Sequence, residues 1–192
     1  MISALANIAS AFGLATAAGL NAYVPLLVVA LLARFTNLIV LEEPYNLLTN
    51  EWVIIVLLIL LVIEFFADKV PAVDSVNDVI QTVVRPVAGA ILFAATSNVI
   101  SDIHPVLALI CGIIVAGGVH ATKATVRPVI TATTAGTMNP VVSLAEDVGS
   151  LIIALLAALV PVLFVVVFTA VGLVFLWWLW RRQRRSDARL VA

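Results

Sequence analysis

The chain has 192 residues, of which 64% are apolar and 11% charged, with a formal net charge of −1; its mean hydropathy is +1.21. A soluble domain carries ~25% charged and ~45–50% apolar residues, so a soluble globular fold is excluded. Disorder is excluded with it, because that needs low hydrophobicity and high charge. The expected class is all-α: a polytopic membrane protein with one transmembrane domain over residues 1–180 and a basic cytoplasmic tail over 181–192. With so small a net charge no overall field recruits nucleic acid. The single cysteine, Cys111, lies in an apolar run and reads as a small buried hydrophobe.

A helix needs ~20 residues to cross the ~30 Å hydrocarbon layer. Met1 to Ala33 carries no charge for 33 residues, and Gly13, Gly19-Leu20-Asn21 and Pro25 interrupt it. This predicts a short first helix or half-helix, a break, and a span towards Arg34. A secretory signal peptide is not expected, for want of a basic n-region. Residues 36–50 form a loop with Glu42 and Glu43, and a second span runs from Glu51-Trp52 to about Ala67 with Glu64 inside it. The polar stretch DKVPAVDSVNDVIQTVVRP follows, then an apolar run from Val87 to Ile100. The turn Ser101-Asp102-Ile103-His104-Pro105 leads into a fourth run, to about Val119. After HATKATVRP come an uncharged run from Pro128 to Ala145, the acids Glu146 and Asp147, and a charge-free stretch of 33 residues from Val148 to Trp180 that Pro161 divides or kinks.

At the end of the chain Trp177, Trp178 and Trp180 abut Arg181, Arg182, Arg184 and Arg185. Tryptophan prefers the interface and arginine the cytoplasmic side, which places the C-terminus inside. Counting back through about six spans places the N-terminus inside as well. On that count Lys69, Arg85, Lys123, Arg127 and the five tail arginines, nine of the ten basic residues, are cytoplasmic. The expected location is a bacterial cytoplasmic membrane. Short runs leave re-entrant or strongly tilted segments as an alternative.

Val84-Arg85-Pro86-Val87 recurs as Val126-Arg127-Pro128-Val129, a shift of 42. Behind the first arginine stand Asp78 and Gln81; behind the second, at the same spacing, His120 and Lys123. Spacing i, i+3, i+7 puts three polar side chains on one helical stripe, and Asp74 extends the first stripe by a turn. Proline disfavours helix at the residue before it, so each arginine is expected at a break where a new span begins. The expectation is two related hairpins, about 51–100 and 105–145, packed about an axis along the membrane normal with both arginines at one depth. A weaker echo joins Ala18-Gly19-Leu20-Asn21 to Ala135-Gly136-Thr137-Met138-Asn139; broken helices of this kind expose backbone groups that coordinate ligands.

Ionisable groups in a membrane domain are costly and mark function by default. The primary candidates for an ion or solute site are Asp74, Asp78, Gln81, Arg85, His120, Lys123 and Arg127. Secondary candidates are Asn21, Glu64, Asp68, Lys69, Asn139, Glu146 and Asp147. Arg85 and Arg127 would clamp a phosphate or carboxylate, Asp74 and Asp78 would take a cation or proton, and His120 with Lys123 would tune the site. The competing account makes these residues cytoplasmic loop groups that pair with one another, their arginines snorkelling to lipid phosphates, with Glu146 and Asp147 capping the outer end of a span. No sequence feature assigns a metal, and no cofactor is expected. HExxH and GxSxG are absent, and the aspartates of 68–78 only loosely match magnesium-binding lipid transferases, so catalysis is the less favoured reading.

The strings AGLNAYVPLL, DKVPAVDSVNDVIQTVVRPVAGA, GGVHATKATVRP and TAGTMNPVVSLAED, spread over roughly residues 10–160, resemble the domain-of-unknown-function 4126 family of small integral membrane proteins. The resemblance implies that the polar stretches characterise the family, and it supplies no mechanism. The expected function is a small transporter or channel for an ionic or phosphate-bearing solute, a lipid headgroup included, with membrane lipids as partners and a homo-oligomer as its assembly. The alternatives are a scaffold that binds anionic lipid or a partner, and a metal-dependent lipid-modifying enzyme.

Overall fold

A computed structural model describes residues 2–67, 71–97 and 104–159, together with Ala170, Val171, Trp177 and Arg181; the side chains of 71, 72, 74, 75 and the first few residues fall outside the description. The described residues form six α-helices and no strand: α1 (Ile2–Leu20), α2 (Tyr23–Phe35), α3 (Glu51–Ala67), α4 (Pro71–Ser97), α5 (Pro105–Thr134) and α6 (Asn139–Leu159), with a short 3-10 helix at Tyr45–Thr49. Among the described residues three helical stretches, Val76–Thr96, Pro105–Thr134 and Asn139–Leu159, are long and apolar enough to cross a bilayer; Ala6–Leu20 and Tyr23–Phe35 are shorter apolar helices.

α1 is the hub, packing against α2, α4, α5 and α6. Its buried face is small: Ala11, Ala15, Ala17 and Ala18 are wholly enclosed with Leu14. Small residues let helix backbones approach closely where lipid supplies no hydrophobic drive between helices. The closest approaches fall at glycine. A Cβ at Gly19 would lie 2.5 Å from Val119 Cβ, and one at Gly112 would lie 2.4 Å from the Gly89 carbonyl oxygen. The outer surface is apolar: Val56, Ile59, Val62 and Ile63 of α3 and Ile114 and Val129 of α5 are all more than half exposed, as expected of a surface that meets lipid.

The break between α1 and α2 falls at Asn21-Ala22, as the sequence predicts, and α3 coincides with the predicted second span. The Arg-Pro expectation is overturned. α4 runs through Pro86 and α5 through Pro128, so neither arginine starts a new span. Proline removes one N–H from the i→i−4 ladder, here the donors to the carbonyls of Thr82 and Ala124, and packed neighbours make that tolerable inside a membrane bundle. The run from Pro128 to Ala145 is no span either. α5 ends at Thr134, where Ala135 (φ 50°) and Gly136 (φ 78°) adopt the left-handed conformation, which closes a helix, and α6 then begins at Asn139.

His104 and Pro105 behave as a helix start: Pro105 occupies the first turn and His104 Nδ1 accepts from Val106 N at 3.3 Å. Arg34 leaves the bundle to pair with Glu51 at 3.2 Å on the exposed loop side. At the far end Arg181 lies 5.1 Å from the centroid of the Trp177 ring, a cation–π contact suited to an interface. Pro161, Trp178, Trp180 and the remaining tail arginines lie outside the described residues.

Candidate functional site

α4 and α5 run antiparallel. Thr82 and Arg85 meet His120, Asp78 meets Arg127, and Gly89 meets Gly112. The glycine crossing brings the two polar stripes face to face, and pairing is reciprocal. Arg85 Nη1 lies 3.0 Å from His120 Nδ1, and Arg127 Nη1 lies 3.8 Å from Asp78 Oδ2. Asp78 and His120 occupy equivalent places in the two stripes, so each arginine reaches the head of the other stripe. The relating axis is therefore perpendicular to the helices and not along them. The two arginines do not share a depth; seven residues of α5 separate Arg127 from His120, the partner of Arg85, about 10 Å at 1.5 Å per residue.

The first half of the network is sealed at its ion pair. Arg85 and Glu64 pair at 3.0 Å with 1% and 2% of their side chains exposed. Arginine only donates, so His120 Nδ1 accepts from Arg85 and the ring is the neutral tautomer with its proton on Nε2. That Nε2–H donates to Thr82 Oγ1 at 3.1 Å, and Thr82 Oγ1 donates to the Asp78 carbonyl at 2.8 Å. Gln81 is 1% exposed and lies beside the Tyr23 phenol of α2. Glu64, the one acid in the apolar run of α3, is thus what ties α3 to α4.

The second half is more open. Lys123 Nζ lies 2.8 Å and Arg127 Nη2 3.0 Å from the same oxygen, Glu146 Oε2. Lys123 also donates to the Leu20 carbonyl at 3.3 Å, at the negative end of α1. A cavity of about 310 Å³ opens beside these groups between α1, α5 and α6, with Lys123, Arg127 and Glu146 at one side and Leu20, Val119, Val126, Ile130 and Val142 as walls. Glu146 and Asp147 do not cap a span; they sit two turns inside α6. Asn21 Oδ1 accepts from Tyr23 N and Val24 N at 3.0 Å each and caps α2, while its Nδ2 donates to Asp147 Oδ1 at 2.9 Å. Ser150 Oγ donates to the Ala17 carbonyl at 2.9 Å.

Of the sequence candidates, Asp78, Gln81, Arg85, His120, Lys123 and Arg127 converge between α4 and α5, Glu64 and Glu146 join them from α3 and α6, and Asn21 pairs with Asp147 at the α1–α2 break. Asn139 joins neither group; it starts α6 and its Oδ1 accepts from Thr131 at 3.0 Å on the exposed side. Asp68, Lys69 and the Asp74 side chain lie outside the described residues. Among those described, no group of three or more His, Cys, Asp and Glu side chains is arranged to hold a metal ion. Sequence reasoning missed Thr82, Tyr23 and Ser150. Thr82 follows Asp78 by four residues and Ser150 follows Glu146 by four, a signal of shared helical face; nothing marks Tyr23.

The polar strings that carry the site are those that carry the family resemblance, and the model of one family, described as Domain of unknown function (DUF4126), matches residues 8–182. The chain belongs to this family. No curated protein and no solved structure matches it. The DUF4126 match takes in every residue of the network from Asn21 to Ser150.

Proposed function

We propose that this membrane protein is a transporter for an anionic solute, which binds at Lys123 and Arg127. The observation that carries the reading is the single carboxylate oxygen, Glu146 Oε2, held by two cations at the edge of a cavity. Two converging donors on one oxyanion form the kind of seat a phosphate or carboxylate takes. Burying such groups in a membrane domain is costly unless they serve a pathway or a partner. Arg85 is no second clamp in this reading, because Glu64 and His120 already enclose it on both sides. It positions α3, α4 and α5 around the site.

The test is flux. Purified protein in liposomes is loaded with radiolabelled inorganic phosphate under an outward gradient. Wild type is expected to release it faster than empty vesicles, and Lys123→Met and Arg127→Met to fall to the empty-vesicle rate. Equal release from wild type and both variants contradicts the reading. The scaffold alternative places the same residues in contact with bulk solvent; Lys123 is 4% and Arg127 11% exposed, which favours transport over it.

A further inference from the structure

We infer that the anion taken at Lys123 and Arg127 is the head of an amphiphile whose apolar body lies along α5 and α6, and that Glu146 is its internal stand-in. The inference rests on the anion-binding reading above and adds the ligand class.

Three observations carry it. Apart from Thr122, the cavity beside the two cations is otherwise walled by aliphatic groups, Val119, Val126, Ile130 and Val142 among them. A small hydrated anion gains nothing from such walls, whereas each buried methylene of a chain does. Second, the outer faces of these helices are apolar: Val126 lines the cavity and is 49% exposed, and Val129 and Val141 on the same two helices are 61% and 56% exposed. Entry is therefore lateral, from the lipid side. Third, α6 packs against α1 and α2 and touches α5 only sparsely. The links from Glu146 to Lys123 and Arg127 are what close the α5–α6 seam at this level. An entering phosphate or carboxylate replaces the Glu146 carboxylate on both cations. The seam then loses its tie where the chain of the ligand must lie. Glu146 and the ligand head compete for one seat, and the competition couples binding to separation of α5 from α6.

Binding to the full chain in detergent, followed by isothermal titration, tests this with three probes: dihexanoyl phosphatidic acid, dihexanoyl phosphatidylcholine and inorganic phosphate. Phosphatidic acid is expected to bind at least about tenfold tighter than inorganic phosphate, and phosphatidylcholine, whose phosphate carries a cationic neighbour, much more weakly than phosphatidic acid. Ile130→Ser is expected to weaken phosphatidic acid several-fold and leave inorganic phosphate unchanged. Glu146→Gln is expected to tighten both. Equal affinity for phosphatidic acid and inorganic phosphate, both lost in Lys123→Met, overturns the amphiphile and leaves the anion site standing. Binding of either that is indifferent to Lys123→Met and Arg127→Met overturns both. Tight phosphatidylcholine binding equal to that of phosphatidic acid shows occupancy by chains alone and also overturns the inference.

Discussion

Arg85 and Glu64 form an ion pair between α4 and α3 in which neither side chain keeps more than 2% of its surface exposed. Removing one member of such a pair leaves an uncompensated buried charge and costs about 3–5 kcal/mol, whereas replacing both with apolar groups of similar volume is often neutral. Glu64→Leu and Arg85→Met are each expected to lower the thermal midpoint sharply, and the double variant to recover most of the loss. A double variant as unstable as the sum of the singles would show that the pair does not act as a unit.

Arg85 also fixes the state of His120. Because the guanidinium donates to Nδ1, the ring must carry its proton on Nε2. Nitrogen NMR of selectively labelled protein is expected to show the neutral Nε2–H tautomer for His120. His120→Asn, which keeps an acceptor near the Nδ1 position, is expected to be folded. His120→Lys sets a third cation beside Arg85 and Lys123 and is expected to aggregate on size exclusion. A Nδ1–H tautomer in the wild type would remove this account of the Arg85 contact.

The two stripes meet because Gly89 and Gly112 let α4 and α5 touch backbone to backbone. A Cβ at Gly112 would sit 2.4 Å from the Gly89 carbonyl oxygen, while one at Gly118 meets nothing within 4 Å. Gly112→Ala is expected to destabilise by about 1–3 kcal/mol through forced separation. Gly118→Ala, a plain gain in helix propensity, is expected to stabilise by up to about 1 kcal/mol. Thermal midpoints in the opposite order would contradict the close crossing.

At the break after α1 the start of α2 is held by Asn21. Asn21 is 1% exposed, caps α2 with its oxygen and donates to Asp147 with its nitrogen. Asn21→Ala is expected to cost about 1–2 kcal/mol through the lost cap. Asn21→Asp keeps the cap acceptor but faces Asp147 with a second carboxylate, and is expected to be at least as damaging. Stability measured by chemical denaturation in mild detergent separates the two; an Asp variant as stable as wild type would argue against the Asn21–Asp147 bond.

The sequence made the class legible, because composition alone forbids a soluble fold, and it made most of the candidate polar cluster legible, because i, i+3, i+7 spacing survives whatever the helix packs against. That spacing alone puts Asp78, Arg85, His120, Lys123 and Arg127 on two helical stripes. What it misjudged is direction and continuity. Proline at 86 and 128 reads locally as a break, but tertiary packing carries both helices through it, and with the breaks gone the intervening runs become halves of longer helices. The stripes then meet head to tail instead of side by side. Glu64 shows the complementary limit: a lone acid in an apolar run signals a buried partner and does not say which arginine it is.

In the proposed mechanism Lys123 and Arg127 form an anion seat for which Glu146 competes. Inorganic phosphate binding to wild type, Glu146→Gln and Lys123→Met, measured side by side by phosphorus NMR line broadening, tests it most directly. Affinity is expected to rise about tenfold or more in Glu146→Gln, where a neutral amide no longer competes for the cations, and to vanish in Lys123→Met. The same affinity in all three proteins would contradict the account.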